Sequence, residues 1–139
     1  MRLHHIGVAV RDLSSAAQSF EGALGYEIRS EVIHDPVQTA YCQFLKLPGY
    51  PPYLELVAPD GDESKLTGAL ARGGGLNHLC YAVADIEAAC ARLAARNMVM
   101  IQTPLPAVAF PGRRIAWLMD ENRLLIELVE EGEDSWSST

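Results

Sequence analysis

Two histidines and two glutamates recur at matched places along this chain. His5 opens the run His5-Ile-Gly-Val-Ala-Val-Arg-Asp-Leu13, and His78 opens His78-Leu-Cys-Tyr-Ala-Val-Ala-Asp-Ile86, at an offset of 73 residues. His, Ala, Val and Asp repeat in place, while Ile6/Leu79 and Leu13/Ile86 match in kind. Further on come Leu54-Glu-Leu-Val57 and Ile126-Glu-Leu-Val129, at an offset of 72. Two matched segments in the same order mark a duplicated supersecondary unit. A carboxylate in mid-strand between leucines is costly unless it is paired or metal-bound. Neutral imidazole and carboxylate together suit a divalent ion. A single histidine in a strand is ordinarily a core or edge residue, and a single glutamate there turns to solvent. Recurrence of both in each copy favours a metal site at His5, Glu55, His78 and Glu127. His4 and His34 have no counterpart in the repeat and read as surface histidines.

The elements that must position these four follow from hydrophobic spacing. Residues 3–10 read as a strand. Asp12 or Ser14 caps a helix reaching about Leu24, with Ala16, Ala17, Phe20, Ala23 and Leu24 at helical spacing and Gly25 closing it. Strands follow at about 26–33, 38–46 and 53–58. The second copy repeats the order: a strand at 76–83, Asp85 capping a helix to about Arg96, then strands near 98–102, 113–119 and 123–130. The reading is α+β, with βαβββ twice. Module one covers about 1–60, a linker helix with Gly73-Gly74-Gly75 about 62–75, module two about 76–131, and a polar, frayed tail 132–139. Side chains alternate across a strand. One face of the first strand therefore carries His5, Gly7 and Ala9, and that of its copy His78, Cys80 and Ala82. Small residues beside each histidine leave a hollow, and parity turns Glu55 and Glu127 toward it.

Bulk properties narrow the class. The 139 residues suit one domain built of two small modules, and 49% hydrophobic with 21% charged residues is a soluble, globular mix. A net charge of −7 argues against a sequence-independent grip on nucleic acid. No apolar stretch approaches the roughly 20 residues that span a bilayer, and no secretory signal opens the chain. Cys42, Cys80 and Cys90 lack CxxC spacing, so they read as reduced, buried thiols of a cytoplasmic protein.

The pattern resembles the vicinal oxygen chelate superfamily, which includes glyoxalases, bleomycin-binding proteins and extradiol dioxygenases, from about Leu3 to Glu130. Within it the chain is most similar to the methylmalonyl-CoA epimerases. The segments that carry this are His5-Ile-Gly-Val-Ala-Val with Asp12-Leu13, Leu54-Glu-Leu-Val-Ala-Pro59, Gly75-Leu-Asn-His-Leu-Cys-Tyr-Ala-Val-Ala-Asp-Ile-Glu-Ala88 and Leu125-Ile-Glu-Leu-Val129. The resemblance implies a curved eight-stranded cup with outer helices, usually a homodimer. It places His5, Glu55, His78 and Glu127 on the four ligand positions, for cobalt, manganese, nickel or zinc. It also implies a small-molecule substrate, such as an acyl thioester, while charge and hydropathy leave no nucleic-acid or membrane partner.

Two departures stand out. The epimerases use a further carboxylate base about where Thr39 falls, and no Asp or Glu lies between Asp35 and Glu55. A Gly-rich turn is also altered, to Ala109-Phe-Pro-Gly-Arg-Arg114. Glu127 or Glu55 would then serve as both ligand and base. Arg113 and Arg114 could hold a substrate carboxylate or phosphate bidentately, or merely form a solvated strand edge. Tyr53 and Phe110 read as core before cup wall. The activity expected is a metal-dependent epimerase or isomerase of a carbon acid. The alternatives are a glyoxalase I-type lyase, a thiol transferase, or a protein that sequesters a small molecule. An oxygen-activating dioxygenase is disfavoured, because such centres use two His and a single carboxylate.

Overall fold

In the computed structural model, which describes residues 1–136, each copy opens with a strand that runs into an Asp-capped helix. β1 (Arg2–Ala9) leads to α1 (Leu13–Leu24), where Asp12 Oδ1 accepts from the Ser15 amide at 2.9 Å. β6 (Gly75–Val83) leads to α3 (Ile86–Ala94), where Asp85 Oδ1 accepts from the Ala88 amide at 3.0 Å. Each cap satisfies an amide that the first helical turn leaves without a partner. Gly25 ends α1 with φ of 80°, a conformation that costs glycine little.

The remaining strands of the first copy are β2 (Glu27–Ile28), β3 (Ile33–Asp35), β4 (Ala40–Lys46) and β5 (Tyr53–Pro59). After α2 (Thr67–Ala71), the second copy continues through β7 (Val99–Pro106), β8 (Arg114–Met119) and β9 (Leu125–Glu130). The sheet is mixed and open, ordered β2-β4-β5-β1-β6-β9-β8-β7, with β3 beside β4. β1 runs parallel to β5 and β6 parallel to β9, and antiparallel β1 and β6 join the two copies at the centre.

The described residues form nine strands where eight were expected, because the stretch from 26 to 33 is broken. Ser30 interrupts it: its Oγ accepts from the Phe44 amide at 2.9 Å, so a side chain replaces a ladder carbonyl. β2 and β3 then pair separately with β4.

The alternation sorts the two faces as sequence parity requires. On the outer face α1 covers Leu45, Leu54 and Leu56, and α3 covers Leu118, Ile126 and Leu128. Burial of each such side chain contributes about 1.5–3 kcal/mol. The inner face gathers Ala9, Cys42, Phe44, Val57, Cys80, Ala82, Phe110, Ile115 and Val129. The two central strands thus present their histidines to the face that the long helices leave open.

Candidate metal centre

Parallel pairing brings β5 beside β1 and β9 beside β6, setting Glu55 across from Gly7 and Glu127 across from Cys80, two residues beyond each histidine. The antiparallel β1–β6 pair then joins the two sets. The Nε2 atoms of His5 and His78 are 3.1 Å apart. Glu55 Oε1 lies 3.2 Å from the first and 3.0 Å from the second. Glu127 Oε1 lies 3.1 and 3.4 Å from them. All four residues are buried.

The donor set fits a divalent ion on three counts. Ligands about 2.1 Å from a common ion stand about 3.0–3.4 Å from one another, the spacing observed here. His78 Nδ1 is 2.7 Å from Asn77 Oδ1, which only accepts, so the hydrogen sits on Nδ1 and a lone pair on Nε2 points to the centre. Glu127 Oε1 is buried with no hydrogen-bond donor. Lone pairs aimed at one another repel unless a cation or protons lie among them. Without an ion, protons take that part. Burial disfavours the charged imidazoles, yet Cys80 with Glu55 and Glu127 at His5, and Glu127 with Glu55 at His78, outweigh it and raise both histidines above their ordinary value. The imidazoles in return hold Glu55 and Glu127 below the usual carboxylate range, against the opposing effect of burial.

Two cavities flank the cluster. One of about 180 Å³ is lined by His78, Asn77, Gln38, Lys65, Gln102 and Trp117, among others. A smaller one of about 40 Å³ touches Glu55, Glu127, Asp35 and Phe110. Both share Gln38, Ala40 and Val57. Trp117 stands edge-on to His78, with ring centroids 4.9 Å apart.

Several expectations are corrected. His4 is not a surface residue: it is 1% exposed, and its Nδ1 lies 2.8 Å from His5 Nδ1. The β1–β6 register shifts between Leu3 and His5, so His4 escapes the alternation and turns inward with its neighbour. The stretch just beyond Glu131 is not frayed through residue 136. Asp134 is buried against His4 Nε2 at 3.0 Å, and Trp136 stacks on Phe44 with centroids 4.3 Å apart. Residues 137–139 of the expected tail lie outside the described residues. His34 is exposed, as expected, beside Asp60.

The arginine pair, expected as a substrate clamp or a solvated strand edge, is engaged by the chain's own carboxylates. Arg113 is buried, donates to Asp134 Oδ1 at 2.6 Å, and lies over the Phe110 ring. Arg114 is held by Glu130 and Glu87 at 3.0 and 2.8 Å. Neither lines the two cavities beside the cluster. Phe110, read as core, is buried and also walls the smaller cavity, while Tyr53 packs against His4.

Thr39, where a further carboxylate was sought, occupies a turn with φ of 58°, its hydroxyl bonded to the Gln38 carbonyl. Besides Glu55 and Glu127, Asp35 brings a third carboxylate to the wall of the smaller cavity. Its Oδ1 accepts from the Val37 and Gln38 amides, each at 3.0 Å. Asn77 had a signal, its adjacency to His78; Asp134 had none.

A profile of the family described as the Glyoxalase/Bleomycin resistance protein/Dioxygenase superfamily matches residues 4–117. The ethylmalonyl-CoA/methylmalonyl-CoA epimerase of Cereibacter sphaeroides is 33% identical over 93% of this chain and 97% of its own. The crystal structure of methylmalonyl-CoA epimerase from Mycobacterium tuberculosis superposes with a TM-score of 0.83 at 29% identity, covering 95% of this chain and 89% of that one. A Streptomyces coelicolor methylmalonyl-CoA epimerase variant, in complex with 2-nitronate-propionyl-CoA, superposes at 0.82 with 26% identity, covering 96% and 99%.

Proposed function

The chain belongs to the glyoxalase/bleomycin resistance protein/dioxygenase superfamily, and we propose that within it this member epimerises a 2-carboxyl-acyl-CoA thioester of the methylmalonyl-CoA kind. The observation that carries the reading is the buried convergence of His5, Glu55, His78 and Glu127 beside a cavity of about 180 Å³. Similarity to the Cereibacter epimerase over nearly the whole of both chains supports the substrate class.

The four residues would hold a divalent ion such as cobalt, manganese, nickel or zinc. When bound, that ion stabilises the negative charge that develops on substrate oxygens as an α-proton leaves. The cavity admits an acyl head group of a few carbons and leaves the larger part of the coenzyme outside. Trp117 and Leu125 give it apolar walls that limit water. Gln102 Nε2 and Trp117 Nε1 are buried donors without partners. The Gln38 side-chain Nε2, donating to Gln102 Oε1 at 3.3 Å, leaves the Gln102 Nε2 free for an oxygen of the substrate.

Glu127 or Glu55 moves the proton. Asp35, on the wall of the smaller cavity, is a further carboxylate that can act on the substrate. Three buried free cysteines fit a reducing compartment such as the cytoplasm. A homodimer belongs to the same proposal, and the mass in solution tests it.

A glyoxalase I-type isomerisation is the second reading. One observation favours it: the cluster holds two carboxylates, while the turn at Thr39 offers none. The test is α-proton exchange in deuterium oxide with metal-loaded protein, on a methylmalonyl thioester and, separately, a glutathione–methylglyoxal hemithioacetal. Exchange of the thioester alone is expected. Turnover of the hemithioacetal alone overturns the epimerase reading, and inactivity on both with metal bound leaves a sequestering role.

A further inference from the structure

From the buried chain Arg113–Asp134–His4–His5 we infer that Asp134 and His4 are positioning residues that set which ring nitrogen of His5 carries the hydrogen, and so hold that ligand ready for the ion. The inference rests on the metal-centre reading above. Asp134 Oδ1 accepts from Arg113 at 2.6 Å, and both its oxygens lie within 3.2 Å of His4 Nε2. The next link, His4 Nδ1 to His5 Nδ1, is 2.8 Å long. Arg113, Asp134 and His4 are each at least nine-tenths buried, so little water reaches the path.

Donor and acceptor counting along Asp134, His4 and His5, with the Cys80 thiol as a further weak partner of His5, leaves one arrangement for neutral rings. Burial would push the Asp134 carboxyl up, but the bonds from His4 and Arg113 outweigh it and keep it ionised. An ionised carboxylate only accepts. The hydrogen of His4 therefore sits on Nε2, and its Nδ1 is bare. A bond between two Nδ1 atoms needs one hydrogen, which must then belong to His5. With Nδ1 protonated, neutral His5 presents a bare Nε2 to the cluster, as Asn77 makes His78 do. A metal-binding histidine usually sends its other N–H to a carboxylate or carbonyl directly. Here a second histidine is inserted, and the carboxylate arrives from the stretch after the last strand, 130 residues away from His4.

This polarity can be reversed by one substitution that scarcely changes shape. In Asp134→Asn, Arg113 keeps the amide oxygen where Oδ1 stood. The amide nitrogen then takes the Oδ2 position, 3.0 Å from His4 Nε2 in the present structure, and donates to it. His4 must move its hydrogen to Nδ1 and donate to His5. The hydrogen of His5 is driven to Nε2, into the centre. Asp134→Ala removes the carboxylate without imposing the reversed polarity, although it strands the buried Arg113 guanidinium and so harms the fold more.

The experiment measures zinc affinity by competition with a chromophoric chelator and thermal stability without metal, for wild type and both variants. Asp134→Asn is expected to lose about 10–100-fold in affinity and Asp134→Ala less, while the order of melting temperatures is the opposite. If affinity falls in the same order as stability, or Asp134→Asn binds zinc like wild type, the inference is overturned and the metal centre stands. A wild-type protein that binds no divalent ion overturns both. Long-range 1H–15N correlation on the histidine rings of the zinc-loaded wild type reads the hydrogens directly, even should the variants not fold. Hydrogen on His5 Nδ1 and His4 Nε2 is expected, and hydrogen on His4 Nδ1 overturns the inference.

Discussion

The imidazole of His78 lies against Gly7 on the neighbouring strand, so closely that a Cβ added at Gly7 would overlap its Cε1, Nδ1 and Nε2 atoms. The absence of a side chain on β1 makes the space in which the β6 ligand stands. Gly7→Ala should therefore displace the ring. We expect a loss of about 1–3 kcal/mol of stability from overpacking, with metal affinity falling at least tenfold. Chemical denaturation and metal titration read the two effects, and unchanged affinity would mean that His78 is not a ligand.

Ion binding to the folded form alone should raise its stability, by about 2.7 kcal/mol at a hundredfold excess over Kd. A chelator should abolish that increment in the wild type. In His78→Ala the increment should be small from the outset. His34→Ala, at an exposed residue beside Asp60, should retain it in full. Melting temperatures with and without chelator check all three, and equal shifts would assign the wrong histidines.

Metal uptake should release protons. Without an ion the histidines are raised and the glutamates lowered. The stabilisation from the histidines is complete below about pH 6.5 and disappears as pH rises through their raised values. That from the glutamates is complete above about pH 4.3 and disappears as pH falls through their lowered values. The metal-free protein thus gains most from the cluster between about pH 4.3 and 6.5, whereas the ion needs bare imidazoles. Affinity should rise from pH 6 to 8, and calorimetry in buffers of different ionisation enthalpy should show proton release. Flat affinity with no release would contradict protonated imidazoles.

Proton transfer can be separated from metal holding. Glu127→Gln, assayed at saturating metal, should slow exchange of the thioester α-proton by about 10²-fold or more. Asp35→Asn keeps an oxygen for the Val37 and Gln38 amides, so the turn should survive. Its metal affinity and melting temperature should stay near wild type while exchange slows. Exchange rates by NMR in deuterium oxide decide, and a wild-type rate in Asp35→Asn would exclude that carboxylate.

The sequence by itself determined the duplication, the Asp85 helix cap, a choice of Asp12 or Ser14 for the first, and the grouping of His5, Glu55, His78 and Glu127. Each rests on local periodicity: capping depends on neighbours three residues on, and strand parity on a period of two. The tertiary structure decided what local rules do not reach. A shift in register between Leu3 and His5 cancels parity for one residue and brings His4 inward, and no pattern along the strand announces it. Ser30 breaks an expected strand by bonding across to Phe44. Arg113 and Arg114 find carboxylates from Asp134, Glu130 and Glu87, so their charge meets the chain's own acids. Asp134 stands in a polar stretch that reads as solvated. Its partners are Arg113 and His4, the latter ringed by Phe44, Phe110 and Trp136, residues far apart in sequence that meet only after the sheet has formed.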